Sequence, residues 1–547
     1  MKVAGYWSGH DCSYCVLEDG HPVVHDEYER FIREKEPAGD SLKFMSENYA
    51  EFDSIKHFAS CYPSKKSIKD YPESHEKIKA IVEKNGGQIH FVGHHQAHAA
   101  NTFFSSNFEK SAILTLDGGG IEDDNMFLTA CTFWQGEGTK VTPLVRFPYS
   151  IPPFFNIGSV WTRVTRYVFQ LQSGWPTGHQ AGSVMAMAAF GDPSLYEDDF
   201  YKMLTVDNFQ ASFKPPTQPK GACIPGKDPV HPYLNKWKVI AQQDEKNKFD
   251  LAAGLQSATE KFFKQILNIL VKKTDVENLC ISGGVTLNCV MVGKIKQWFP
   301  QIKNIYATPC PHDGGLTLGA AQYVWHHILG NERIKWSDNF TPYLGKTYTL
   351  DEVQNCLNDF EDKVEVSHTT DDEVVEFLNQ QKIVAVFGGG SESGRRALGN
   401  RSILADPRSL QMKDIINEKV KHRQWYRPFA PSIMKEHTSD WFIEDNIDSP
   451  YMSFVYRFTD EAAKKVAAVA HKDNSARLQT VTENDNHWYY NFLKKWNEKS
   501  GVPILLNTSF NDREPICETP QHAVRCFLGT DIDYLYFRDY NILVKSK

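Results

Sequence analysis

Two histidines four residues apart, His94 and His98 in GHHQAHAANTFF, are the first residues whose types and spacing point to chemistry. If Ala97-His98-Ala99-Ala100 marks a helix, positions i and i+4 put both imidazoles on one face, the usual arrangement of a metal-binding pair. His95 then points elsewhere; the alternative is a polar helix start whose histidines cap or pack. Carboxylates to complete a site stand at two strand ends: Asp117, ahead of Gly118-Gly119-Gly120, and Asp313, in Pro311-His312-Asp313-Gly314-Gly315. Two imidazoles and two carboxylates with open positions suit Fe, Mn or Zn, and the donor types do not separate these.

Three further groups have chemical content. His10 beside Asp11 is a candidate general base, because imidazole takes a proton near neutral pH; Lys35, in ERFIREK, either adds a cation nearby or belongs to a solvated charge run. Asp117-Gly118-Gly119-Gly120 and Ser282-Gly283-Gly284-Val285 are glycine runs after short strands, where backbone N–H groups can approach a phosphate or adenosine. Neither matches GxxxxGK[ST] or GxGxxG, which disfavours a P-loop or a Rossmann site. Residues 395–427 hold nine Lys and Arg (Arg395, Arg396, Arg401, Arg408, Lys413, Lys419, Lys421, Arg423, Arg427) against Asp406, Asp414 and Glu418, a local charge of +6. This run begins just after Gly388-Gly389-Gly390, so a glycine loop and guanidinium forks lie together as polyphosphate recognition requires. Arg477, Asn507 and Arg513 lie in segments that could join that pocket.

The elements that must position these residues are short buried strands running into flexible turns, the way α/β proteins build sites at strand ends. Lys2–Tyr6, Ser13–Leu17, Gln88–Val92, Ala112–Leu116, Leu279–Ile281 and Ile383–Phe387 read as strands. Leu251–Val271 carries an i, i+3, i+4 apolar stripe and reads as a long core-facing helix; Glu373–Asn379 and Lys413–Lys421 read similarly. Periodicity is weakest over 330–350, which places a domain boundary at about 345, giving units 1–345 and 346–547. Lys214–Asp228 reads as an inserted surface loop.

Composition bounds the rest. The 547 residues are 41% hydrophobic and 23% charged, which excludes a disordered or collagenous chain. A net charge of −8 argues against a protein that coats nucleic acid. No apolar run is long enough for a membrane helix, the N-terminus reads as a strand and not a signal peptide, and eleven scattered cysteines fit reduced thiols in the cytoplasm. The single CxxC, Cys12 to Cys15, reads as packing within a hairpin.

Taken in order, GHDCSYCVLEDG, YERFIREK, GHHQAHAA, LTLDGGG, ISGGVTLNC, PHDGGLTLGAA, SGRRALGNRSILADPR, WYRPFAPSI, ARLQTV and NTSFNDREPI resemble the O-carbamoyltransferase family of nodulation-factor, cephamycin and tobramycin carbamoyltransferases. They span residues 9–516 collinearly. The resemblance implies an α/β protein: a duplicated actin-like N-terminal domain, then a YrdC-like domain that forms carbamoyl-adenylate from ATP and carbamoyl phosphate. It implies ATP and carbamoyl phosphate contacts at Arg396, Arg401, Lys421, Arg423, Arg477, Asn507 and Arg513, with Mg²⁺ accompanying ATP. In the N-terminal domain it implies Fe²⁺ on His94, His98, Asp117 and Asp313, with Mn²⁺ and Zn²⁺ as alternatives. Gly118, Gly119, Gly283, Gly284 and Asn288 would face the adenylate, and His10 would act as base with Asp11 and Lys35 beside it.

The implied acceptor is a hydroxyl of a small molecule, or of a hydroxymethylated nucleobase free or in DNA, handled by a monomer or homodimer away from any membrane. Where the family carries a lysine in a Gly-Lys-Val-Met-Gly-type segment, this chain has Ser183, and Ala186 replaces a glycine. The acceptor contacts are expected in Phe147–Val168 and Gln210–Lys236. The competing readings are a threonylcarbamoyl transferase acting on tRNA and an actin-like ATPase or binding module.

Overall fold

The computed structural model describes every residue except 62–68, 124, 126, 149–156, 172–179, 208–209, 214–231, 276 and 335–341. The inserted Lys214–Asp228 loop and most of Gln210–Lys236 therefore lie outside the described residues, as does the middle of Phe147–Val168. The chain divides into two compact units, Met1–Glu29 with Glu34–Asn339, and Arg30–Arg33 with Phe340–Lys547. Residues 30–33 thus count with the C-terminal unit, which no local sequence signal indicates. Arg30 is buried there, donating to Ser391 Oγ at 3.1 Å and Gly394 O at 2.7 Å.

The N-terminal unit is built on two five-stranded sheets. The first contains β1 (Lys2–Trp7), β2 (Ser13–Glu18), β3 (His21–Glu27), β4 (His57–Ser60) and β5 (Gln88–Phe91), ordered β3-β2-β1-β4-β5. The second contains β6 (Lys110–Ile121), β7 (Leu128–Glu137), β8 (Lys140–Pro148), β9 (Asn278–Ser282) and β10 (Asn304–Ala307), ordered β8-β7-β6-β9-β10. In each sheet the first three strands form an antiparallel meander, and the first strand also pairs in parallel with the fourth, which pairs in parallel with the fifth. The duplication of an actin-like fold is therefore present in the strand order itself. β1 is buried along its whole length, as a central strand covered on both faces must be.

One element departs from the sequence reading. Asp117–Gly120 reads as a loop after the strand ending at Leu116, whereas β6 continues to Ile121, its register against β7 slipping between Leu116 and Gly120. The glycines form an irregularity inside a strand, the device that re-aims a side chain next to a site. Here that side chain is Asp117.

Helix α1 (His94–Phe104) follows β5, the long α2 (Glu245–Lys273) leads to β9, and α3 (Leu316–Gln322) follows β10. α1 packs backbone to backbone on α3: a Cβ on Gly319 would stand 1.9 Å from Ala97 O. Asn101, buried on α1, donates to Cys310 O at 3.0 Å and accepts from Thr308 Oγ1 at 3.0 Å, pinning the segment that leads to Asp313. Among the described residues no helix is long and apolar enough to cross a membrane. Cys12 and Cys15 are buried free thiols, each pushed up by burial.

The C-terminal unit has an eight-stranded mixed sheet. In chain order its strands are β11 (Val364–His368), β12 (Val384–Phe387), β13 (Arg401–Ala405), β14 (Ala430–Met434), β15 (Gln479–Val481), β16 (Ile504–Ser509), β17 (Tyr534–Phe537) and β18 (Ile542–Ser546). They are ordered β11-β18-β17-β12-β13-β16-β14-β15. Alternate residues supply two cores. Ala385, Phe387, Ile403, Ile504 and Leu506 join one cluster, while Val384, Val386, Leu404 and Leu505 join the other. The period-two alternation buries both faces of the central strands.

Replacing Gly319 by alanine should force α1 and α3 apart. The expected cost is about 1–3 kcal/mol, the range for overpacking a well-packed contact, read as a lower urea midpoint for the N-terminal unit.

Candidate active site

The turn of α1 delivers the histidine pair as its spacing predicts. His94 and His98 share a face, ring centroids 4.9 Å apart, and the ligand atoms of His94, His98, Asp117 and Asp313 all lie within 4.8 Å of one another. His94 Nε2 stands 3.0 Å from Asp117 Oδ2 and 3.4 Å from Asp313 Oδ1. His98 Nε2 stands 3.5 and 3.4 Å from the same two oxygens. Ser282 Oγ donates to Pro311 O, so it accepts from Nδ1–H of His98 at 3.3 Å. That tautomer turns a bare Nε2, fully buried and without a hydrogen bond, toward two carboxylates.

Four inward-facing donors of this kind would be satisfied by a cation. Burial disfavours charge on either histidine, yet the two carboxylates outweigh it and raise both. Burial also opposes ionisation of Asp117 and Asp313, but the histidines hold both below the ordinary carboxylate value. Protons alone would place two imidazolium rings side by side in a dry site; a divalent ion meets the same carboxylates without that repulsion. The donor set fits Fe²⁺, Mn²⁺ or Zn²⁺.

The surroundings fix the ligands. Gly284 N–H donates to Asp117 Oδ1 at 3.0 Å, leaving Oδ2 for the histidines. A Cβ on Gly120 would lie 2.1–2.4 Å from His94 ring and Cβ atoms, so glycine there admits the imidazole. His95 is held at Thr115 Oγ1 (2.9 Å) and Thr129 O (3.0 Å); burial and the two neighbouring histidines lower it to about 3, keeping it neutral. Glu122 accepts the His95 N–H and so caps the first turn of α1. Neither the packing role of Gly120 nor the cap at Glu122 is signalled by the sequence, because both depend on where β6 runs against α1.

His10 lies in the turn between β1 and β2, its side chain 46% exposed, with Nδ1 3.0 Å from Asp11 Oδ2 and Nε2 3.3 Å from Asp313 Oδ2. Asp11 adopts φ +58°, a conformation that turns its carboxylate back on the preceding ring. Burial works against its charge, but Asp313, Asp11 and Asp117 together raise His10 to about 10. Lys35 lies half-buried in the bend after the short helix Glu29–Ile32.

Two of the adenylate candidates have partners within the protein. Gly284 spends its N–H on Asp117. The Asn288 side chain is committed too: Oδ1 accepts from Met291 N at 3.1 Å and from Gln256 Nε2 at 3.2 Å, while Nδ2 donates to Gln256 Oε1 at 2.8 Å. Gly283 takes φ +102° against Leu116 O, a position closed to a side chain. A Cβ on Gly118 would meet nothing within 4 Å, and Gly119 takes φ +138°. Ser183, at the family's lysine position, is buried on the helix Ala181–Ala188.

In the C-terminal unit the basic residues separate into two groups. Arg401 is fully buried, donates to Gly388 O (2.9 Å) and Gly389 O (3.1 Å), and stacks 3.7 Å over Phe387, so it shapes the glycine loop from within. Lys421 donates to Ser509 O at 2.6 Å and Asn511 O at 2.8 Å; Asn507 donates to Gln479 Oε1 at 2.9 Å and Ser432 Oγ at 3.1 Å. These three hold the scaffold. Arg423 is lowered first by burial and then by Arg427 and Arg477, and Arg427 falls to about 10 by burial and Arg477. Three guanidinium groups thus feel one another, with Arg427 a member that the count of basic residues includes but does not distinguish. Arg396 is half-buried and Arg513 exposed. Glu392, also missed, accepts the N–H groups of Leu398, Asn400 and Arg401 on Oε1.

Comparison with known proteins gives this arrangement its context. Residues 68–322 match the profile described as Carbamoyltransferase N-terminus, and residues 375–544 that described as Carbamoyltransferase C-terminus. Nodulation protein NolO of Bradyrhizobium diazoefficiens is 33% identical over 463 residues, covering 81% of this chain and 77% of the relative. The chain belongs to the carbamoyltransferase family. The 3'-hydroxymethylcephem-O-carbamoyltransferase of Amycolatopsis lactamdurans is 29% identical over 416 residues, 75% of this carbamoyltransferase and 74% of that enzyme. Among solved structures, full-length HypF in its phosphate- and nucleotide-bound form covers 60% of this chain and 56% of its own at 13% identity. Its TM-score is 0.38, too weak a likeness to argue from.

Gly120→Ala should evict His94 while leaving the sheets intact. Affinity for Fe²⁺ or Zn²⁺, read by competition with a chromogenic chelator, should fall by roughly 10–100-fold, the usual effect of disturbing a ligand's support.

Proposed function

We propose that this carbamoyltransferase is an ATP-dependent O-carbamoyltransferase with two chemical steps. Its C-terminal unit, read as YrdC-like (residues 346–547), converts carbamoyl phosphate and water to carbamate and phosphate, then joins carbamate to ATP as carbamoyl-adenylate with release of pyrophosphate. The N-terminal unit, Met1–Glu29 with Glu34–Asn339, transfers the carbamoyl group from the adenylate to an acceptor hydroxyl, and AMP leaves. The observation that carries this reading is the double engagement of Asp313: Oδ1 faces His94 and His98, and Oδ2 faces His10.

A hydroxyl is too weakly acidic to attack unaided, so the transfer needs a base near the electrophile. His10 is the exposed imidazole of the site and takes that proton on Nε2. Asp11, on Nδ1, orients the ring and stabilises the imidazolium that results. His94, His98, Asp117 and Asp313 would hold Fe²⁺, which when bound supplies Lewis-acid stabilisation of the adenylate phosphate and offsets the carboxylate charge that keeps His10 protonated. Gly118 and Gly119 admit the adenylate close to the backbone, and Lys35 is available to its oxygens. In the C-terminal unit Arg423, Arg427 and Arg477 draw in the anionic groups of Mg²⁺-ATP and carbamoyl phosphate, while Arg396 and Arg513 reach toward solvent to meet them.

The acceptor class we favour is a small molecule or a hydroxymethylated nucleotide, since a chain of net charge −8 lacks the basic surface for extended nucleic acid. Among the described residues ten cysteines are buried and free, which favours the cytoplasm.

The two steps are separable by substitution. His10→Asn should lower carbamoyl transfer by about 10²–10⁴-fold while pyrophosphate release dependent on carbamoyl phosphate persists. Arg477→Ala should show the reverse, with pyrophosphate release lowered and transfer from supplied carbamoyl-adenylate intact. Loss of both activities in either variant, or ATP turnover indifferent to carbamoyl phosphate, contradicts the scheme.

A further inference from the structure

A second set of buried ligand types lies behind His10 and is unused by the scheme above. Glu27 ends β3, and Cys310 and His312 precede the turn that carries Asp313; their ligand atoms also fall within 4.8 Å of one another. All three are buried, the Glu27 and His312 side chains at 4% and 5% exposure and Cys310 at 0%. His312 Nε2 makes no hydrogen bond; its nearest acidic oxygens are Glu27 Oε2 at 3.5 Å and Asp11 Oδ1 at 3.8 Å.

A glycine borders these donors. A methyl group on Gly314 would stand 3.0 Å from His312 Nε2, 3.3 Å from Glu27 Oε2 and 3.4 Å from Cys310 Sγ. That point is a bond's length from the Gly314 Cα and is no ion position, but its contacts show that a side chain at 314 would crowd all three donors. The backbone around it is anchored, since Gly314 O accepts from Ser13 Oγ and from His25 Nε2, each at 2.8 Å. With bonds of about 2.0–2.3 Å, donors around one tetrahedral zinc stand roughly 3.3–3.8 Å apart, so ligand atoms already within 4.8 Å of one another reach that spacing by side-chain adjustment.

We propose that Glu27, Cys310 and His312 bind a second divalent cation of borderline softness, Zn²⁺ being the type, with Asp11 in reach as a fourth ligand. A thiolate, an imidazole and a carboxylate together select such an ion over Mg²⁺ or Ca²⁺, which take oxygen. Binding displaces the thiol proton to solvent and leaves the oxidation states unchanged. Through Asp11 the ion would fix the carboxylate that orients His10, so it serves as a structural support for the base. The inference does not depend on the catalytic reading of His94 and its neighbours.

Sulfur makes the two sites distinguishable, because the site of His94, His98, Asp117 and Asp313 contains none. The metal-free full-length protein is titrated with Co²⁺ alone and followed by absorption. The expected result is a near-ultraviolet sulfur-to-cobalt charge-transfer band that is lost in Cys310→Ser and in His312→Ala. It persists in His94→Ala and in Cys517→Ser, the latter removing the thiol of the other cysteine-containing group, Glu514, Cys517 and Cys526. Absence of the band in the folded wild-type protein overturns the proposal and leaves His312 as an ion-pair partner of Glu27 and Asp11. A band that survives Cys310→Ser, or disappears with Cys517→Ser, overturns it equally. The wild-type measurement and two independent variants keep the answer from resting on the folding of any one of them.

Discussion

Asp313 is the contact on which the N-terminal site depends. One of its oxygens faces a buried pair of imidazoles and the other faces the half-exposed imidazole of the hairpin turn. A buried carboxylate so placed costs free energy unless positive charge meets it on both sides. That requirement makes the candidate cation ligands and the candidate base a single electrostatic unit. Asp117 shares the burden, and its second oxygen is occupied by the Gly284 amide, so the unit also fixes the turn that follows β9.

The fold supplies what this contact demands. Two sheets of the same strand order bring β6 and β9 and the segment after β10 to one end of the unit, where Asp117, Gly284 and Asp313 emerge. α1 and α3 then approach so closely that glycine is required at 319, and Asn101 ties α1 to both Thr308 and Cys310. The distance between the histidines on α1 and the aspartate ahead of α3 is therefore set by backbone packing, with little left to side-chain freedom. Tight packing of this kind is what pre-organises ligands at a fixed separation.

Part of this is legible in the sequence for simple reasons. The helical repeat alone pairs His94 with His98, and an acid directly ahead of a glycine run marks Asp117 and Asp313. Other features depend on which way a buried side chain turns, and composition does not carry that. Arg401 and Lys421 stand in a basic run and read as ligand contacts, yet their N–H groups go to the carbonyls of Gly388 and Ser509, because a buried loop must satisfy its own backbone first. Asn288 follows a glycine turn and reads as a nucleotide contact, but it caps the helix beginning at Cys289. The capping glutamate Glu122 and the group of Glu27, Cys310 and His312 join residues 27 to 285 positions apart, and only the strand order brings them together.

In the proposed function two imidazoles and two carboxylates of the N-terminal unit bind one divalent ion. X-ray absorption at the iron edge tests it most directly, on Cys310→Ser protein carrying one equivalent of Fe²⁺ so that the sulfur-containing group is disabled. The account predicts a first shell of nitrogen and oxygen with the multiple scattering of two imidazoles, lost when His94 and His98 are both replaced by alanine. A shell without imidazole scattering, or one unchanged by that double replacement, would contradict it.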